Sequence, residues 1–122
     1  MQDIKITIGK KFQKELKKYA KKYQTLPKDL DYLLQTLRVL PTGNKSKHWT
    51  LLKQEGGKYI FKMRMMCRSL KGSSFRIIYY FDGEKVEIFL IELYHKGKKQ
   101  TEDNQRIEEF WKEKTNILTE TS

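Results

Sequence analysis

Basic side chains alternate with apolar ones in the segment "FKMRMMCRS", residues 61–69. In an extended strand, Lys62, Arg64 and Arg68 share one face, on which neighbouring positions are about 7 Å apart. That spacing is close to the distance between successive phosphates of a single nucleic-acid strand. Arg76 lies on the matching face of the next apolar segment and can sit beside Arg64 if the segments pair. Guanidinium groups match phosphate oxygens, so the pattern predicts a phosphate-binding row.

A second group of reactive side chains follows the apolar run "VEIFLIEL", residues 86–93. Tyr94 and His95 come directly after it, and three lysines follow them: Lys96, Lys98 and Lys99. Histidine exchanges a proton near neutral pH, and tyrosine can stack on a base or donate a proton. The lysines can hold flanking phosphates. Glu92 is a weaker candidate base, and His48, near a predicted loop, carries little weight.

Each of these features also has a purely structural interpretation. A row of Lys and Arg on a strand is often a solvated face, and Arg76 can pair with Glu87 or Glu92 across a sheet. Seven lysines within residues 10–22 are typical of the solvated face of a helix. The combination is more specific than its parts, because the two cationic groups converge if the strands form consecutive hairpins.

Charge is the strongest global feature of the sequence. Twenty-six Lys and Arg oppose fifteen Asp and Glu, which gives a formal net charge of +11. Residues 101–122 reverse the balance, with three basic and six acidic side chains. A basic body of this kind attracts polyanions, among which nucleic acids are the commonest. The alternative is that the lysines only keep a small protein soluble.

Several classes of protein are disfavoured by composition. One cysteine, Cys67, allows no internal disulfide, and two histidines with one cysteine are too few for a zinc or redox enzyme. We therefore predict no metal and no cofactor. No apolar run approaches the roughly 18 residues of a membrane span, and the N-terminus does not resemble a signal peptide. A cytoplasmic protein without a membrane partner is expected.

Hydrophobic periodicity predicts a single α+β domain over residues 1–122. Alternating isoleucines predict a first strand at residues 3–8, and apolar spacings of three and four predict two helices, the second at about 27–39. Period-two patterns separated by "GG", "GSS" and "DG" then predict a meander of four strands. A last helix follows Thr101 as its N-cap. The predicted order is βααββββα, with an antiparallel sheet of about five strands packed against the helical hairpin.

Four ordered segments resemble the RelE/ParE superfamily of bacterial toxins, especially the RelE/HigB-like messenger-RNA endonucleases. "FQKELKKYAKKYQTLPKDLDYLLQTL" is similar to the helical hairpin of that family, with its opening Phe-x-Lys-x-Leu. "FKMRM" and "FRIIYYF" resemble its central strands, each with a signature arginine. "VEIFLIELYHKGKKQ" is similar to its last strand and basic exit. The turn at Gly56-Gly57 and the segment "MCRSLKGSS" depart from shorter members of the family.

The resemblance implies the toxin of a type II toxin–antitoxin system that cleaves messenger RNA, commonly on the ribosome, and is silenced by a cognate antitoxin. Arg64 and Arg76 match the signature arginines, and Lys62, Tyr94 and Lys96 match further site positions. Such cleavage needs no metal, because the ribose 2′-hydroxyl can attack the adjacent phosphate. The protein must align the reacting atoms, stabilise charge and move two protons.

Two other functions remain open on the same fold. A ParE-like protein poisons DNA gyrase without catalysis, and a plain RNA-binding module holds RNA without cutting it. Fold alone does not separate these possibilities. The pair Tyr94-His95 beside the arginines favours a nuclease, since a gyrase inhibitor needs no proton-transfer groups.

Overall fold

The computed structural model describes residues 3–43 and 46–115, and its elements follow the order predicted from the sequence. They are β1 (Lys5–Ile8), α1 (Lys10–Ala20), α2 (Leu26–Val39), β2 (Trp49–Glu55), β3 (Lys58–Met65), β4 (Phe75–Asp82), β5 (Glu87–His95) and α3 (Asn104–Thr115). The predicted α+β architecture, with a helical hairpin and a C-terminal helix, is confirmed. No helix of the described residues is both long enough and apolar enough to cross a membrane.

The five strands form one sheet in the order β1-β5-β4-β3-β2. Strands β2 to β5 make the predicted antiparallel meander. The first strand corrects the prediction, because β1 pairs parallel to β5, with Lys5 opposite Glu87 and Ile8 opposite Leu90. The sheet is therefore mixed. A parallel neighbour needs a long crossover, and no local hairpin signal in the sequence marks such a pair.

The helical hairpin covers one face of the sheet. Phe12, Leu26 and Leu37 are fully buried against alternate residues of the central strands, including Phe61 and Ile77. The predicted core faces of β3 and β4 are thus confirmed. Pro27 lies in the first turn of α2, where its missing N–H and fixed φ do no harm.

The last helix covers part of the opposite face. Ile107, Phe110 and Trp111 pack against apolar residues such as Ile78 and Tyr80. Asp103, rather than the predicted Thr101, caps the helix, because its side-chain oxygen accepts the N–H of Arg106 at 3.1 Å. The helix reaches only part of this face, and the remainder, toward the ends of β3 and β5, holds the candidate site.

Candidate active site

Four residues form a row across neighbouring strands at one end of the sheet. Arg64 on β3 lies opposite Arg76 on β4, and Arg76 lies opposite Tyr94 on β5. On the other side of Arg64, just before β2, the carbonyl of His48 accepts the backbone N–H of Arg64 at 2.9 Å. Residues directly opposite each other in a sheet have Cβ atoms about 5 Å apart. The pairing therefore places an imidazole, two guanidinium groups and a phenol side by side.

The row lines a cavity of about 430 Å³. Its walls are formed by Lys47, His48, Thr50, Lys62, Arg64, Arg76, Tyr94 and Lys96. Five of these side chains are cationic, and no carboxylate is among the lining residues that the structure describes. The predicted site residues Lys62, Arg64, Arg76, Tyr94 and Lys96 are thus brought together. A cavity of this charge is suited to an anionic group.

The two arginines oppose each other at an electrostatic cost. Arg76 is half-buried, and burial followed by the charge of Arg64 lowers the pKa of its guanidinium. Its Nη1 atom donates to the buried hydroxyl of Ser74, which holds the group in place. Like charges directly opposite each other destabilise a sheet. An anion bound between the two arginines would remove this repulsion.

Glu102 anchors two of the lining residues from the segment before α3. One carboxylate oxygen accepts from the ammonium of Lys62 at 3.2 Å and from the hydroxyl of Tyr94 at 3.3 Å. Burial raises the pKa of Tyr94, and the charge and hydrogen bond of Glu102 raise it further, so the phenol stays protonated. Burial alone would raise the pKa of Glu102, but a backbone hydrogen bond and Lys62 outweigh it and lower that pKa.

His48, Lys47 and Thr50 belong to the cavity, although the sequence gave little or no reason to choose them. A β-bulge in β2 between Leu51 and Lys53 shifts the register with β3. Without that extra residue, the two-residue turn after Glu55 would place His48 beside Met65 instead of Arg64. The turn was visible in the sequence, whereas the bulge was not.

His95 does not lie in this cavity, which corrects its predicted place beside the arginines. A second bulge, between β4 and β5, pairs Ile78 with Glu92 and Tyr79 with Leu90. The side chains of β5 after the bulge therefore point to the opposite faces of the sheet from those that simple alternation would give. Tyr94 then points to the cavity side, and His95 packs under the helical hairpin. Its ring lies 5.6 Å from that of Tyr23 and is buried. Neither ring nitrogen has a hydrogen-bond partner among the described residues.

We expect His95 to make the protein less stable as the pH falls below about 6.5, the ordinary pKa of histidine. Burial, with Lys98 and Lys22, lowers the pKa of His95 in the folded state. The unfolded chain then binds more protons, so the free energy of unfolding decreases until the pH passes below the folded pKa. Thermal melts at about pH 7.5 and pH 5 should show a larger loss in the wild type than in His95→Phe. Equal losses would contradict this role.

Three other predicted RNA-binding residues lie outside the cavity. Arg68 pairs with Asp29 of α2 at 2.8 Å, and the Lys99 ammonium lies 2.6 Å from the buried carboxylate of Glu92. Lys98 is exposed near His95. Met65 ends β3 before Arg68 is reached, which is why the strand alternation no longer applies there. Within the described residues, no three His, Cys, Asp or Glu side chains are grouped to hold a metal ion.

The fold and the structural comparison agree: this chain has a RelE-like fold. One chain of the crystal structure of the archaeal RelE-RelB complex from Pyrococcus horikoshii OT3 is similar to it, with a TM-score of 0.58. The similarity covers 80% of this chain and 100% of that chain, at 17% sequence identity. No protein-family model and no curated protein sequence matches the chain.

Proposed function

We propose that this protein is the toxin of a toxin–antitoxin system, a metal-independent endoribonuclease that cleaves messenger RNA. The observation that carries the proposal is the pair of opposed arginines, flanked by an imidazole and a phenol, in one cationic cavity. The RelE-like fold supports the class of protein. With messenger RNA as its substrate, the proposed location of the protein is the cytoplasm.

The proposed reaction is attack of a ribose 2′-hydroxyl on the adjacent phosphorus. The O2′–P bond forms and the P–O5′ bond breaks, which leaves a 2′,3′-cyclic phosphate and a 5′-hydroxyl. Negative charge builds on the equatorial oxygens, and Arg64 and Arg76 stabilise it with donors already in position. Lys62 assists as a third cation. The repulsion between the arginines is relieved when the phosphate binds, and most strongly when its charge is greatest.

The proton-transfer groups stand at opposite ends of the arginine pair. His48 lies on the β2 side, and Tyr94 with Lys96 lies on the β5 side. An in-line displacement needs its entering and leaving oxygens on opposite sides of phosphorus, and this arrangement supplies that. His48 is the proposed base for the 2′-hydroxyl. Tyr94, whose phenol stays protonated, and Lys96 donate hydrogen bonds to the leaving 5′-oxygen. That oxygen takes its proton from water, and His48 returns the 2′-hydroxyl proton to solvent.

Replacing His48 by glutamine is expected to lower the cleavage rate by about 10²-fold and to remove the acidic limb of the pH–rate profile. A structural histidine would change the rate without changing the shape of the profile. His95→Gln is the matched control, because His95 lies on the other face of the sheet. If the profile keeps its acidic limb in His48→Gln and loses it in His95→Gln, His95 and not His48 is the base.

The proposed substrate context is the ribosome, and mapping of cut ends tests it. Purified protein is incubated with messenger RNA on programmed ribosomes in a Mg²⁺ buffer, and with free messenger RNA with and without EDTA. Cuts that need ribosomes and end in a cyclic phosphate support the proposal, and cuts in free RNA make the enzyme ribosome-independent. Absence of cuts in both reactions overturns the nuclease assignment. Gyrase supercoiling and RNA-binding assays then decide between the two other functions.

A protein antitoxin is the proposed partner, since the similar chain comes from a complex of RelE with RelB. An apolar groove of about 270 Å³ adjoins the cavity through His48 and Arg64. Tyr32 and Met66 line it and are 75% and 62% exposed. An apolar antitoxin segment seated there would carry acidic residues over the arginines. The product of a neighbouring gene should copurify with the protein and fail to do so after Tyr32→Glu; unchanged copurification argues against this groove.

A further inference from the structure

The first helix and the turn that follows it present seven lysines that the proposed active site does not use. They are Lys10, Lys11, Lys14, Lys17, Lys18, Lys21 and Lys22, and all seven are exposed. At about 100° per residue, the five lysines of α1 fall within an arc of about 120° that extends about 12 Å along the helix, and Lys21 and Lys22 follow in the turn. Phe12, Leu16 and Tyr19 occupy the opposite arc and pack into the core. We call these seven lysines the lysine face.

The lysine face is not neutralised within the described residues. None of the seven lysines forms a salt bridge there. The one acidic residue of α1, Glu15, is engaged by Arg106 of α3 at 2.8 Å. Lysines three and four residues apart repel each other on a helix, and Lys10 and Lys11 stand at its positive end. Repulsion among these lysines therefore destabilises α1.

We propose that the lysine face binds double-stranded RNA, as a second site outside the catalytic cavity. Single-stranded RNA is typically held by exposed aromatic side chains on which its bases stack, and this face presents none. Duplex RNA is recognised through its phosphates and its shape, and a row of lysines along a helix can contact successive phosphates. A membrane is disfavoured, because the apolar side of α1 is buried in the core.

The position of the lysine face connects it to the active site. Near the end of α1, the hydroxyl of Tyr19 accepts the backbone N–H of His95, the last residue of β5. The charges of Lys22 and the exposed Lys98 both act on His95 and lower its pKa. Lys96, two residues before Lys98, lines the cavity. A duplex on the lysine face would therefore flank a single strand that enters the cavity.

The test is binding of a blunt RNA duplex of about 20 base pairs, without single-stranded ends, over a range of salt concentrations. A combined Lys14→Gln, Lys17→Gln, Lys18→Gln, Lys21→Gln variant is expected to bind at least about 10-fold more weakly. Its plot of log affinity against log salt should be less steep by about 2 to 4, since each neutralised duplex phosphate contributes about 0.9. Circular dichroism confirms that the helix is kept.

The matched control removes four exposed lysines elsewhere: Lys5, Lys28, Lys85 and Lys112, each changed to glutamine. Equal losses in both variants would mean that only net charge matters, and the site would be rejected. If the lysine-face variant loses binding to poly-glutamate but not to the duplex, the partner of the face is an acidic protein instead of RNA. Cleavage of messenger RNA is measured in parallel, in whichever reaction, with or without ribosomes, the wild type supports. At saturating protein the lysine-face variant should retain that activity, so failure of the duplex site and failure of the nuclease proposal are separable.

Discussion

Replacing Arg64 or Arg76 by alanine is expected to lower the rate of RNA cleavage by about 10²- to 10³-fold, the usual effect of removing one positioned donor from a transition state. Both guanidinium groups line the cavity and face each other across paired strands. Each variant should remain folded, since the substitution removes one member of a like-charged pair. Single-turnover cleavage of a saturating substrate measures the effect on chemistry separately from binding.

Two controls make this experiment specific. Arg68→Ala removes an arginine from the segment after β3, but Arg68 is exposed and pairs with Asp29, away from the cavity. It should cleave at nearly the wild-type rate, because Arg68 is not among the residues that line the cavity. Arg76→Lys keeps the charge and loses the planar fork, so partial activity is expected. Full activity in both alanine variants would exclude the arginine pair from catalysis.

Replacing Lys99 by alanine is expected to destabilise the protein by about 2 to 3 kcal/mol, because it leaves a buried carboxylate without its cation. Glu92 is fully buried, and its two oxygens accept from the Lys99 ammonium at 2.6 Å and from the Asp103 N–H at 2.8 Å. The half-exposed position of Lys99 keeps the loss below the largest values for buried pairs. Urea unfolding at neutral pH measures it.

Lys98→Ala is the matched control for this prediction. The residue is adjacent in sequence and exposed, so its removal should change the free energy of unfolding by less than about 0.5 kcal/mol. The double variant Lys99→Ala, Glu92→Gln should recover part of the stability, since the buried charge is then gone. If Lys99→Ala is as stable as the wild type but binds RNA more weakly, the sequence-based role of Lys99 in RNA binding is the better one.

The sequence by itself determined the order of the elements and which faces form the core. Period-two alternation in β3 and β4 put Phe61 and Ile77 inside, and the same rule put Lys62, Arg64 and Arg76 together on the other face. These predictions were accessible because alternation and helical spacing are local properties of the chain. The basic charge and the resemblance to RelE-like toxins were also readable without coordinates.

Only the tertiary structure decided which histidine joins the arginines. One bulge in β2 brings His48 beside Arg64, and another in β5 turns Tyr94 toward the cavity and His95 beneath the helical hairpin. A single extra residue reverses every later side chain of a strand, and it leaves no clear mark in the sequence. The parallel pairing of β1 was hidden for a related reason, because it depends on packing between segments about 80 residues apart.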